Sequence, residues 1–285
     1  MALGRRPDFR GRGVVGELAG ASAEPTPWVP LTTSPQAEGA QNAHDAAVAS
    51  SPLIGAHRGA TGGAIDNSLS AFEAAIDLGA EFIEFDVRRT SERTLIVLHD
   101  ASIGGTPVAS LTRDAIYQKS GLKPPLLVEV LELAAGRIGL DVELKEDGYV
   151  AEVLAEVGPR SEQERLVYTS FLDGVVEQIR RREPAAQTGL ILGQSSPSPY
   201  LHTRLSELFP VARLRHCGAT FAVVHFRLAQ LGALRRARAA GFPSLVWTVN
   251  GAAHLRRFLS DPLVYGVITD EPERALAMRS ALRRG

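Results

Sequence analysis

Two imidazoles and three carboxylates stand at the ends of short apolar runs in this chain, a set able to bind a metal ion and move protons. His57 follows Leu53-Ile54-Gly55-Ala56, Glu84 follows Phe82-Ile83, and His99 follows Leu95-Ile96-Val97-Leu98. Side chains alternate along a strand, so Glu84 and Asp86 point the same way while Phe85 points oppositely. Two such carboxylates repel unless a cation or a shared proton joins them. Glu143 arrives in the same way within Ile138–Lys145, and Lys145 shares its face. Glu84, Asp86 and Glu143 are hard oxygen ligands, suited to Ca²⁺ or Mg²⁺ more than to zinc. His57 and His99 are the acid–base candidates, because imidazole exchanges protons near neutral pH. Carboxylates neutralised by Arg58, Arg88 and Lys145 would be the simpler account of an isolated pair. Three carboxylates with two histidines favour a metal-assisted hydrolase.

Delivering these groups to one place requires buried strands ending at a common mouth. Strand-like segments are expected at 53–58, 82–88 with 94–99, 138–145, 166–171, 188–193, 221–226, 244–249 and 265–269. They alternate with helix-like segments at 68–78, 126–135, 148–157, 173–183, 201–214, 229–240, 252–260 and 272–283. Asn67-Ser68 suits a helix N-cap, and Gly79 and Gly241 suit left-handed helix ends. Eight strands each followed by a helix is the count of a closed (β/α)₈ TIM barrel, whose active site lies at the C-terminal strand ends. His57, Glu84, Asp86, His99, Glu143, Lys145, Trp247 and Asp270 all fall there. A doubly wound sheet fits the alternation but not so many polar strand ends. Gly59-Ala60-Thr61-Gly62-Gly63 lacks the spacing and the Lys-Ser/Thr of a phosphate-cradling loop.

These motifs, with Ile65-Asp66-Asn67-Ser68, Val246-Trp247-Thr248-Val249-Asn250 and Ile268-Thr269-Asp270-Glu271-Pro272, occur in an order that resembles the glycerophosphodiester phosphodiesterase family from about Pro52 onward. The resemblance implies a TIM barrel that hydrolyses glycerophosphodiesters to glycerol 3-phosphate and an alcohol, with a divalent cation. It implies Glu84, Asp86 and Glu143 as metal ligands and His57 and His99 as catalytic histidines. The glycerol's own hydroxyl can attack first in this family, forming a cyclic phosphodiester that water opens. Arg58 and Lys145 are then the phosphate partners, a bidentate fork and a compact charge. Arg58 needs a strand-end twist to point inward, and otherwise pairs with a carboxylate. Trp247 would wall the glycerol pocket, or serve as a core aromatic. His225 is an outlying candidate for substrate contact. Asp66 stands where the family usually has Glu, one methylene shorter. The Ala101–Pro125 segment is short for the insertion found there, which implies an open mouth.

Composition bounds the partners. With 285 residues, 45% hydrophobic, 22% charged and a net charge of −1, the chain suits a globular protein with no bulk attraction to nucleic acid or anionic membranes. Cys217, the single cysteine, is expected to be a small buried side chain. Residues 1–51 are read as a flexible leader and 52–285 as the barrel. No apolar run would insert stably in a bilayer, and the leader's apolar stretch is too short and interrupted for a secretion signal, so a cytoplasmic location is expected. The expected partner is a small-molecule phosphodiester. Arg180-Arg181-Arg182 and Arg235-Arg236 are expected to be solvated helix faces. No aromatic cluster for a quaternary ammonium group and no apolar loop is evident, so loose headgroup discrimination is expected. The alternatives are a lysophospholipase D or sphingomyelinase-like activity on the same barrel, or an inactive binding protein, against which the retained histidines and carboxylates argue.

Overall fold

Eight parallel strands close on themselves in the computed structural model, which describes residues 51–284 apart from 61–63, 163–164 and 194–200. The expected leader, residues 1–51, lies outside the described residues except for Ser51. In chain order the strands begin with β1 (Leu53–His57), β2 (Phe82–Arg89), β3 (Leu95–Val97), β4 (Ser102–Ile103) and β5 (Thr106–Pro107). They continue with β6 (Gly139–Leu144), β7 (Leu166–Ser170), β8 (Thr188–Leu192), β9 (Phe221–His225), β10 (Ser244–Trp247) and β11 (Gly266–Thr269). The barrel order is β1-β2-β6-β7-β8-β9-β10-β11, and β11 pairs back onto β1. Each of the eight expected strand segments contains one of these strands, as the TIM-barrel reading requires.

The strands are buried on both faces because helices cover the outside and side chains fill the inside. Phe85 and Leu144 face the helix layer, where Phe72 meets Phe85 with ring centroids 5.8 Å apart. Inside, Leu53, Phe82, Val167, Ile191, Phe221, Val223, Leu245 and Ile268 form the packed lumen. Gly55 makes room for this plug: a Cβ there would lie 2.2 Å from the Phe82 ring. The N-terminal end is closed by a buried ion pair, Arg279 to Glu81 at 2.6 Å, with Arg279 also donating to the Pro52 carbonyl at 3.1 Å.

Helix ends follow their local chemistry. Ser68 caps the Leu69–Asp77 helix by accepting from the Ala71 N–H at 3.2 Å, an interaction worth about 1 kcal/mol. Gly79 and Gly241 both adopt positive φ, as expected. Two expected helices are each divided. The 201–214 segment forms Leu201–Leu208 and Val211–Cys217, because Pro210 has no N–H to continue the ladder. The 229–240 segment forms Phe226–Gln230 and Ala233–Ala239, parted by Gly232 at φ 96°. The Ala101–Pro125 segment holds the β4–β5 hairpin and an Arg113–Ser120 helix, packed through Ile96, Leu98, Ile103, Val108, Leu111 and Ile116.

Candidate active site

Strand register alone brings the acidic residues together. In the β2–β6 ladder Asp86 pairs with Glu143 and Glu84 with Asp141, and β1 places His57 beside Glu84. Glu84, Asp86 and Glu143 are all buried, with one ligand atom from each within 4.8 Å of the others. At that separation each ionised pair repels by roughly 3–4 kcal/mol at an effective dielectric of about 20, so positive charge must be supplied. Lys145 supplies some: its Nζ lies 2.6 Å from Glu143 and 3.0 Å from Asp86. Arg58 supplies more, with Nε 3.2 Å from Asp86. The inward turn that Arg58 requires is present as a left-handed backbone, φ 54°.

Three carboxylates against two cations leave a deficit, and the proton affinities record where it falls. Asp86 has both cations and a 2.7 Å hydrogen bond from Asn67 Nδ2; although burial opposes them, they pull its pKa down to about 2. Glu143 is pushed up to about 7 by burial and by Asp86, against the pull of Lys145. Glu84 is raised well above the ordinary range by burial and by the neighbouring carboxylates. Its contacts are the Arg58 backbone N–H at 3.2 Å and His57 Nε2 at 3.8 Å, neither a fixed charge. Beneath the cluster Asp141 is also pushed up to about 7, chiefly by burial, although Thr169 donates to it at 2.6 Å. A hard divalent cation fits this donor set, for it would meet Glu84, which forms no ion pair with a lysine or arginine among the described residues.

His57 adjoins the cluster at Glu84, and His99 acts electrostatically on Asp86. His57 Nδ1 lies 2.5 Å from Asp270 Oδ1, and Asp270 is itself held by Asn250 Nδ2 at 2.5 Å and by its own N–H donating to Asn250 Oδ1 at 3.0 Å. These contacts outweigh burial and lower the Asp270 pKa, so the carboxylate accepts and Nδ1 carries the proton. His57 Nε2 therefore faces Glu84 and the mouth. His99 is more open, 43% exposed at its side chain, with Nδ1 donating to Asp100 at 2.9 Å. Arg88 grips the His99 carbonyl at 2.7 and 3.0 Å and is ion-paired to Glu146. Burial lowers the His99 pKa, while Asp100 and Asp86 oppose the change.

Trp247 shares its indole N–H between the Leu192 and Val223 carbonyls at 3.3 and 3.2 Å. It meets Phe171 edge-on at 5.5 Å and His225 at 5.1 Å, while Lys145 Nζ stands 5.7 Å from the Phe171 ring centre. Aromatic rings therefore meet edge-on at the mouth. These rings come from three different strand ends, which no local sequence pattern reveals. His225 Nδ1 accepts from the Arg227 N–H at 3.3 Å, leaving Nε2 as its donor. Asp66 is half exposed and, among the described residues, forms an ion pair only with Arg58, at 3.8 Å.

Asn67, Asn250 and Asp141 were absent from the sequence-based site. Beyond its place beside the helix cap, Asn67 has a left-handed backbone at φ 58° and its amide binds Asp86 on the neighbouring strand β2. Cys217 is buried, with its thiol pushed up to about 11 by burial, as suits a packing residue. Among the described residues no helix is long and apolar enough to cross a membrane.

A sequence profile of the glycerophosphoryl diester phosphodiesterase family matches residues 57–120, which hold both histidines and two of the three carboxylates. A glycerophosphodiester phosphodiesterase of Bacillus altitudinis is 27% identical over 254 residues, covering 81% of this chain and 99% of that protein. Among solved structures, a glycerophosphodiester phosphodiesterase from Parabacteroides distasonis superposes with a TM-score of 0.69 at 25% identity, covering 82% of this chain and 98% of its own. An Oleispira antarctica phosphodiesterase, solved with its product sn-glycerol-3-phosphate, shares the fold with a TM-score of 0.65 at 21% identity, covering 81% and 97%. Motifs, barrel and relatives agree, and all of them support the resemblance of this chain to the glycerophosphodiester phosphodiesterase family.

Proposed function

We propose that this protein hydrolyses glycerophosphodiesters to glycerol 3-phosphate and an alcohol, with a divalent cation, Ca²⁺ or Mg²⁺, held by Glu84, Asp86 and Glu143. The observation that carries this reading is Glu84, a buried carboxylate within 4.8 Å of two others that forms no ion pair with a lysine or arginine among the described residues. When bound, the cation would supply positive charge to the phosphate oxygens and to the carboxylates that surround it. The names of the relatives support the substrate class, and the product held by the O. antarctica enzyme is the one proposed here.

The residues divide the work as follows. Arg58 and Lys145 hold the phosphate and offset the negative charge that grows on it. His99, whose pKa burial lowers, takes the proton from the glycerol hydroxyl adjacent to the ester, and that oxygen attacks phosphorus. His57, with Asp270 behind Nδ1, gives a proton from Nε2 to the departing alcohol oxygen as its bond to phosphorus breaks. In the second half His57 takes a proton from water, and the hydroxide equivalent opens the cyclic phosphodiester. His99 then returns its proton to the glycerol hydroxyl. The Phe171–Trp247 edge gives the glycerol carbons an apolar wall and fixes the hydroxyl in line with phosphorus.

The test is glycerol 3-phosphate release from choline, ethanolamine and glycerol phosphodiesters, beside an analogue lacking the adjacent hydroxyl. Release from all three and a loss of at least roughly 10²-fold for the analogue are expected. Equal rates for the analogue would overturn the cyclic route, and no release from any diester would overturn the activity.

A further inference from the structure

The segment Leu201–Ala240 carries seven arginines and a single glutamate, in a chain whose formal net charge is −1. It also carries three of the most exposed large apolar side chains among the described residues: Leu205 at 49%, Phe209 at 53% and Leu231 at 66%. These adjoin. Phe209 lies one helical turn beyond Leu205, its N–H donating to the Leu205 carbonyl at 2.9 Å. The Arg236 guanidinium stands 4.3 Å from the Phe209 ring centre and reaches the Leu231 carbonyl at 3.3 Å. Arg227 and Arg235 are exposed on the same element group. Leu231 belongs to the connection that leaves β9 at the mouth, where His225 contacts Trp247.

A solvated helix face accounts for Arg235-Arg236 taken alone, but it gives no reason for three large apolar groups left in water beside them. Charge selects the occupant. A nucleic acid would use the arginines and leave the apolar groups unused, while an apolar protein surface would not need an excess of cations. A lipid interface of negative charge uses both, since apolar side chains enter the acyl boundary while arginines meet phosphates.

We propose that Leu205, Phe209 and Leu231, with Arg227, Arg235 and Arg236, dock the barrel on an anionic lipid surface, the mouth lying beside the bilayer. This surface is separate from the phosphate site and does not depend on the hydrolase reading. The test is co-sedimentation of the full chain with vesicles of pure phosphatidylcholine or of an equimolar phosphatidylcholine–phosphatidylglycerol mixture. Binding to the mixed vesicles alone is expected, weakening as salt screens the arginines. The double variants Phe209→Ser with Leu231→Ser, and Arg227→Ser with Arg235→Ser, should each lower partitioning by at least roughly fivefold. Both should keep the wild-type Tm and the turnover of a soluble glycerophosphodiester. Binding that neither variant weakens, equal binding to both vesicle types, or no binding would overturn the proposal. So would dimerisation through this patch in vesicle-free buffer, which would assign it to a second copy of the chain.

Discussion

Nδ1 of His57 lies 2.5 Å from Oδ1 of Asp270, tying the end of the first barrel strand to the residue that follows the last. Closing the barrel thus sets the tautomer of the histidine proposed to transfer protons. Asp270→Ala should lower kcat by at least roughly tenfold with little change in KM, since ring orientation and not substrate binding is lost. Steady-state kinetics with a matched melting curve would check this. A KM change alone would show that Asp270 binds substrate instead.

Asn67 should matter for its amide as well as its backbone. Asn67→Gly keeps the left-handed conformation without strain while removing the 2.7 Å bond to Asp86. A hydrogen bond to a charged group is worth about 1.5–3 kcal/mol, so cation affinity or kcat/KM should fall roughly 10–100-fold. Wild-type kinetics in Asn67→Gly would leave only the backbone role.

The acidic limb of the pH–rate profile should lie below the ordinary imidazole range, because burial lowers the His99 pKa and the base must be neutral to work. Asp100 opposes that shift through its hydrogen bond, so Asp100→Asn should move the limb to still lower pH. A limb that moved upward would contradict the assignment of His99 as base.

Asp141 should cost stability near neutral pH in the metal-free protein. Its pKa is about 7 in the folded chain against about 3.9 unfolded. The folded state therefore holds a proton that the unfolded state has released, and stability falls as pH rises from about 4 through 7. Asp141→Asn keeps an oxygen for the Thr169 hydroxyl and removes the buried acid. It should raise Tm at neutral pH by about 2–4 °C or more, equivalent to at least about 1 kcal/mol. The gain should shrink below pH 4, as calorimetry at two pH values would show.

What the sequence revealed follows from which signals are local. Parallel barrel strands are continuous apolar runs, and a run ended by His57, Glu84 or Glu143 announces both a strand and a mouth. The carboxylate triad was legible because alternation along one strand and register with its neighbour suffice to assemble it. Helix breaks at Pro210 and Gly232 were hidden by apolar periodicity that continues across them. Asn67 was hidden for another reason: its partner lies 19 residues away on a strand, and only the left-handed turn aims its amide there. The aromatic contacts of Trp247 and the apolar patch around Arg236 arise from segments joined only in three dimensions.

We propose that turnover requires a hard cation at Glu84, Asp86 and Glu143. This requirement is tested most directly by measuring glycerol 3-phosphate release from the exhaustively chelated protein while Ca²⁺ or Mg²⁺ is titrated back, for the wild type and for Glu84→Gln. Negligible release without cation, saturable recovery in the wild type, and little or no recovery in Glu84→Gln at unchanged fold are expected. Full turnover after chelation, or a Glu84→Gln protein that recovers as the wild type does, would contradict that requirement.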